Sequence, residues 1–234
     1  MADEGLLLYV YCGATFKVAD GVQSPKGGSL LFCRHLEFRP GERVLELGTG
    51  VGLAAVLAAK RGCRVIATDL VPVAVACARE NALLNGVGEL VEVRLGDCYD
   101  PVPGATFDLI CANPPQMPTP AGKERHDPVA AADNGGPDGW EILDKVIAGA
   151  PSHLNPGGRL IITIFAFLGL KRGFAKLGAA GLVPMVIGRE IQPFPRIGYE
   201  RLDHIRGMDA EGVLPRTDLP KTIERFVIQG TKPR

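Results

Sequence analysis

The chain has 234 residues, 26 basic and 26 acidic side chains, a formal net charge of zero, and 46% hydrophobic against 22% charged residues. That composition is globular and excludes intrinsic disorder, coiled coil and collagen, while the zero balance excludes a protein that grips nucleic acid by bulk charge. The length fits one α/β domain with insertions, and 30 Gly and 19 Pro without a period indicate many tight loops. The acidic start Met1-Ala2-Asp3-Glu4 is no secretory signal. Leu6–Cys12 and Thr15–Val18 flank Gly13 and read as a hairpin or extended arm. Ser29–Phe38 has a helical apolar pattern ended by Pro40-Gly41.

From Arg43 the pattern is regular. Val44–Leu47 is a strand, Gly52–Arg61 a helix closed by Gly62, Arg64–Thr68 a strand, and Pro72–Asn85 a helix stopped by Gly86. Leu90–Leu95 and Phe107–Ala112 are strands, Asp138–Ala150 a helix, and Arg159–Phe167 a strand. A helix near Leu170–Ala180 and strands at Val183–Ile191 and Arg225–Gln229 follow, with a long Pro- and Gly-rich stretch between those last two strands. Strands apolar on both faces that alternate with helices predict a parallel sheet covered on both sides. The longest apolar run, Leu160–Leu170, contains Thr163 and is too short to span a bilayer. Six cysteines lack metal-ligand spacing, so free thiols in a reducing compartment, no bound metal and a cytoplasmic location are expected.

Gly48-Thr49-Gly50-Val51-Gly52 follows the first core strand and opens a helix, where glycine permits sharp turns and helix starts offer free N–H groups. A dinucleotide fingerprint needs G-x-G-x-x-G, but here the third glycine comes one residue early and Leu53 takes its place. Glu46 precedes the loop and would repel a diphosphate but attract a cation. Asp69 ends the second strand, where a carboxylate can take both ribose hydroxyls, and Asp97 after the third strand suits an adenine amino group. A phosphate-free nucleoside with an amino acid group and a positive charge fits, which is the chemistry of S-adenosylmethionine. Each feature taken singly is also what a tight turn or a helix cap would show.

Asn113-Pro114-Pro115-Gln116 follows the fourth strand. Two prolines remove N–H donors and leave carbonyl acceptors, and Asn113 adds a side-chain carbonyl. Together these can hold an –NH₂ group by both hydrogens and aim its lone pair, which is catalysis by positioning. A rigid Pro-Pro turn is the plainer reading.

Glu46–Gly52, Asp69, Gly96-Asp97 and Asn113-Pro114-Pro115 together resemble the class I S-adenosylmethionine-dependent methyltransferases. With the later Asp138-Gly139, they are similar to the amino-methylating group that includes release-factor glutamine methyltransferases and small-domain RNA N-methyltransferases. The resemblance runs from about Pro25 to Phe167. It implies an α/β, doubly wound, mostly parallel seven-stranded sheet with an antiparallel last strand, the Rossmann-like methyltransferase fold. It also implies S-adenosylmethionine as cofactor, with Glu46, Gly48, Thr49, Gly50, Gly52, Asp69, Leu70, Asp97, Cys98 and Asn113 at the donor, and Asn113, Pro114, Pro115 and Gln116 at the acceptor nitrogen. Residues 1–40 form an arm and helix covering the site, and residues 41–234 form the core, with a substrate loop at about 117–137 and an insertion at about 192–222. Two departures matter. Gln116 stands where the family carries an aromatic platform, and only about forty residues precede the first core strand, so recognition of a release factor through a helical N-terminal domain is not expected.

His126, in the substrate loop, reads as a solvated residue rather than a base, and Trp140 as packing for the helix that starts there. The stretch from Arg196 to Arg225 balances six basic against six acidic residues, which marks a solvated face and no nucleic-acid track. The expected activity is methyl transfer to an amide or amino nitrogen of a protein or small molecule, with a partner subunit or homo-oligomer and no membrane. The alternatives are a nucleic-acid base methyltransferase, a nicotinamide-dependent oxidoreductase and a non-catalytic nucleoside-binding module.

Overall fold

Seven strands form one sheet in the order β5-β4-β3-β6-β7-β9-β8 in a computed structural model that describes residues 7–127, 129 and 132–234. Met1–Leu6 of the expected arm, and Pro128, Ala130 and Ala131 of the substrate loop, lie outside the described residues. The sheet strands are β3 (Arg43–Leu47), β4 (Arg64–Asp69), β5 (Val91–Leu95), β6 (Phe107–Ala112), β7 (Leu154–Phe165), β8 (Val183–Pro193) and β9 (Thr222–Thr231). Pairings from β5 through β7 are parallel, and β9 runs antiparallel to both β7 and β8, so the last strand alone is reversed. A separate antiparallel hairpin joins β1 (Leu7–Tyr11) to β2 (Ala14–Val18) around Cys12-Gly13, both at positive φ.

Alternation along the buried strands feeds two cores. Leu160, Ile162 and Ile164 of β7 join Ile228 beneath α4 (Glu141–His153) and α5 (Leu170–Ala179). Ile161 joins Val227, Leu109 and Cys111 beneath α1 (Gly27–Arg34), α2 (Leu53–Lys60) and α3 (Pro72–Leu84). A period of two therefore serves both layers, and the central strands are apolar on both faces, with Glu46 of β3 and Thr163 of β7 as buried polar exceptions. Trp140 is fully buried at the start of α4, its indole N–H donates to the Leu168 carbonyl at 3.3 Å, and Arg172 and Lys176 lie over its ring.

Several boundaries differ from expectation. The first helix ends at Arg34 rather than Phe38, because the chain turns at His35 and buries Leu36 from an irregular segment. Helix α4 begins at Glu141, with Asp138 accepting the Trp140 N–H, and continues through Pro151, which has no N–H to donate to the carbonyl of Ile147 and stands two residues from the helix end. The Pro- and Gly-rich stretch is not structureless. It forms α6 (Arg196–Glu200) and α7 (Leu202–Met208), which bury Ile197, Leu202 and Ile205 in the core shared with Phe167 and Phe194. Among the described residues no helix is long and apolar enough to cross a membrane.

Candidate active site

A cavity of about 380 Å³, within the size range of small-molecule sites, opens at the carboxyl ends of β3, β4, β5 and β6. Glu46, Gly48, Thr49, Gly50, Asp69, Leu70, Asp97, Cys98, Asn113, Pro114 and Pro115 all line it. Gly21–Pro25, Ser29, Phe32 and Cys33 line it from the N-terminal segment, and Ala132 and Asn134 from the loop after Pro115.

The glycine loop spends its own donors. Gly48 N–H and Thr49 N–H donate to the Thr68 carbonyl at 2.9 and 3.0 Å, and Gly50 N–H donates to Asp69 Oδ2 at 2.9 Å. The expected free N–H groups are therefore not offered at these positions, because the loop folds back onto β4. A diphosphate needs such groups. Gly48 and Gly50 have φ of +70° and +55°, which only glycine takes without strain. Gly52 does not line the cavity. Its N–H bonds the Thr49 carbonyl, and a Cβ there would lie 3.2 Å from Ala78, so it serves the packing of α2 on α3 rather than the donor.

Asp69 Oδ1 accepts the Val71 N–H at 2.9 Å and Oδ2 accepts that of Gly50, which fixes the carboxylate while each oxygen keeps a lone pair for a hydroxyl. Glu46 is buried, and its Oε2 accepts the Thr49 hydroxyl at 2.6 Å and the Ala55 N–H at 2.9 Å. Burial raises its pKa to about 7 against the pull of those bonds, and the Asp69 charge adds to the rise. Glu46 is thus not the fixed negative charge the sequence implied; near neutral pH it is shared between carboxyl and carboxylate. Asp97 is held by Lys145, whose Nζ donates to Oδ2 at 2.7 Å and keeps the carboxyl below its ordinary range. Cys98 sits at φ +44°, its thiol raised to about 12 by burial and by neighbouring Asp97.

The acceptor wall is a chain of bonds with fixed polarity. Phe165 N–H donates to Gln116 Oε1 at 2.9 Å, so Gln116 Nε2 must face Thr163, and it donates to Thr163 Oγ1 at 3.0 Å. The Thr163 hydroxyl then donates to Asn113 Oδ1 at 2.5 Å. Gln116 itself is 3% exposed and does not line the cavity, so it does not touch the acceptor as expected. It orients Thr163, and Thr163 orients Asn113. In the sequence Thr163 is only an interruption of an apolar run, yet a hydroxyl in such a run requires a partner when buried.

A second unforeseen residue is Arg201, 3% exposed. Its guanidinium donates to Thr119 Oγ1 at 2.7 Å, Asn134 Oδ1 at 3.1 Å, and the carbonyls of Lys123 and Asp133 at 3.1 and 3.2 Å. One side chain from the α6–α7 junction so ties down the loop that follows Pro115. His126 in that loop is exposed and does not line the cavity.

A family model described as methyltransferase small domain matches residues 14–179. The chain is 33% identical over 186 residues to a Methanocaldococcus jannaschii protein provisionally named protein N5-glutamine methyltransferase, across 79% of this chain and 93% of that one. It is 36% identical over 204 residues to the release factor glutamine methyltransferase of Cereibacter sphaeroides, across 82% of this chain and 71% of the relative. Among solved structures, Mtq2 of E. cuniculi, in the Mtq2–Trm112 complex responsible for methylation of the eRF1 translation termination factor, superimposes with a TM-score of 0.58. The match has 18% identity over 91% of this chain and 99% of Mtq2. The T. thermophilus 16S rRNA N2 G1207 methyltransferase, solved with AdoMet and guanosine, gives 0.60 at 19% identity, over 97% of this chain and 50% of that one.

Proposed function

The chain belongs to the methyltransferase small domain family and is an S-adenosylmethionine-dependent methyltransferase, and from that membership we propose that it methylates the side-chain amide nitrogen of a protein glutamine. The observation that carries this reading is the pair of acceptors in the wall, Asn113 Oδ1 and the Pro114 carbonyl, with Asn113 oriented by Thr163 and Gln116. S-adenosylmethionine, when bound, supplies the electrophilic methyl group. Asp69 takes the ribose hydroxyls, Asp97 the adenine edge, and Glu46 the cationic end. Asn113 Oδ1 and the Pro114 carbonyl accept the two hydrogens of the target –NH₂, so its lone pair points back toward the donor end of the cavity. The prolines add no N–H that would compete for that lone pair. Residues 21–29 cover the donor, and the loop held by Arg201 borders the acceptor.

The donor set suits this cofactor better than a nicotinamide dinucleotide, because the N–H groups that a pyrophosphate would need are spent on Thr68 and Asp69. Relatives named for glutamine methylation favour a protein over a nucleic-acid acceptor. A partner subunit belongs to the same proposal. Calorimetry with S-adenosylmethionine and transfer of a labelled methyl group into protein, RNA and metabolite fractions test it. Label in protein glutamine is the expected result; donor binding with label only in RNA would overturn the acceptor assignment.

A further inference from the structure

Asn81 of α3 is fully buried, and its amide oxygen and both amide hydrogens are paired. Oδ1 accepts the Lys17 N–H at 2.8 Å, and Nδ2 donates to the Lys17 carbonyl at 2.9 Å and to the Val51 carbonyl at 2.8 Å. Asn85 caps the end of the same helix and repeats part of this pattern. Its Oδ1 accepts the Thr15 N–H at 3.0 Å and its Nδ2 donates to the Thr15 carbonyl at 2.7 Å. Residues four apart on a helix are separated by about 6 Å, and residues two apart on a strand by about 6.8 Å. Two amides on α3 therefore match one edge of β2 and pair with it as a neighbouring strand would. Ala14 and Phe16, the inward side chains of β2, are buried in the core shared with α3.

Asn81 differs from Asn85 in reaching the donor loop as well. In a regular helix the Val51 carbonyl would take the Ala55 N–H, but that N–H goes to Glu46 Oε2 at 2.9 Å. Among the described residues, Asn81 supplies the hydrogen bond that the Val51 carbonyl takes instead. Val51 lines the cavity, and so do Gly21–Pro25, which begin three residues after β2 ends. A turn closed by the Val22 N–H on the Ala19 carbonyl at 3.0 Å joins the hairpin to those lining residues. One amide thus holds two walls of the donor end: the loop after β3 and the segment after β2.

We infer that Asn81 is a positioning residue for the methyl donor, and that through it the docking of the β1–β2 hairpin and the binding of the donor are coupled. A donor between the two walls is in contact with both, so anything that keeps them together slows its escape. By linkage the bound donor must then stabilise the docked hairpin to the same degree. Asn85 bears on the hairpin alone. That coupling rests on the placement of S-adenosylmethionine in this cavity.

The test follows amide hydrogen exchange of Thr15 and Lys17 in the full chain, with and without S-adenosylhomocysteine, the donor without its methyl group. At about 100 times the ligand Kd, exchange of both amides should slow about tenfold or more, where complete coupling would give about 100-fold. Asn81→Ala should bring the slowing at Thr15 below about twofold at the same multiple of its own Kd. It should also raise the donor Kd and KM about tenfold and leave kcat within about twofold. Asn85→Ala should speed exchange at Thr15 with or without ligand, keep the slowing at Lys17, and change the donor Kd less than about threefold. An amide that only supports the fold would leave the ligand response in place in both variants. Wild-type hairpin amides that the ligand does not slow, while it slows the Gly50 amide, overturn the coupling without recourse to a variant. So does slowing that persists in Asn81→Ala, or a donor Kd that this substitution leaves unchanged. A ligand that binds and slows neither the hairpin nor Gly50 overturns the placement of the donor in the cavity, and the coupling with it.

Discussion

Thr163 donates its hydroxyl hydrogen to the side-chain oxygen of Asn113 at 2.5 Å, and so decides which end of that amide can receive a substrate hydrogen. The hydroxyl has no choice of direction, because Gln116 Nε2 already donates to it at 3.0 Å. Replacing Thr163 by Val keeps the shape and removes this control. We expect kcat to fall about tenfold, the worth of one lost hydrogen bond, with the donor Kd unchanged. Single-turnover kinetics beside donor calorimetry checks this. Equal loss in both would show that Thr163 acts on the fold rather than on Asn113.

Donor and acceptor functions should separate by mutation. Asp69→Ala removes the carboxylate that faces the cavity and fastens Gly50 and Val71, and it should weaken donor binding tenfold or more. Asn113→Ala should leave the donor Kd within about twofold and abolish transfer, since a residue that positions the acceptor acts on the chemical step. Calorimetry of each variant gives the first quantity and labelled transfer the second.

The buried carboxyl of Glu46 gives a pH signature. Its pKa is raised to about 7 from 4.5 in the fold. Below pH 4.5 both folded and unfolded chains carry the proton. Between 4.5 and 7 the unfolded chain loses it first, so the folded state loses stability as pH rises, by about 3 kcal/mol at most, and the dependence is flat above 7. Glu46→Gln should remove this slope in denaturant titrations. A cation bound nearby favours the carboxylate, so donor binding near pH 7 should release protons, seen as a heat that varies with the ionisation enthalpy of the buffer.

Arg201 bears on a different property. Arg201→Met leaves the carbonyls of Lys123 and Asp133 and the Thr119 hydroxyl oxygen without this donor, and leaves Asn134 Oδ1 with the Arg125 N–H alone. We expect faster proteolysis in the loop of residues 117–137 and an acceptor KM raised about tenfold, with donor affinity kept. Arg201→Lys should recover part of both, since a point charge replaces the fork. Unchanged proteolysis would separate Arg201 from the loop.

Most of the sheet was legible because its signals are local. Val44–Leu47, Arg64–Thr68 and Phe107–Ala112 are short apolar runs set between glycine and proline punctuation, and each became a strand within a residue or so. The donor loop and Asn113–Pro115 were legible for the same reason: their residues are adjacent in the chain. What was not legible depends on pairing across the sheet. Thr163 reaches Asn113 only because β6 and β7 lie in register, with Ala112 beside Ile162. Gln116 looked like a substrate contact because its position beside the prolines was visible and its partner on β7 was not. Arg201 sat in a charge-balanced stretch that read as solvated, and only the folding of α6 and α7 buried it.

The place of β9 has a consequence for the order of assembly during synthesis. β8 is made first, yet its only neighbour in the sheet is β9, which inserts between it and β7. Until residues 222–231 emerge, β8 has nowhere to dock, and neither Arg225 nor the strand that packs beside Phe165 exists. A nascent chain can therefore assemble the donor loop and the acceptor wall, which end at Phe165, while the far edge of its sheet is still unbuilt, so the residues of the site are all made before the edge that completes the fold beside them.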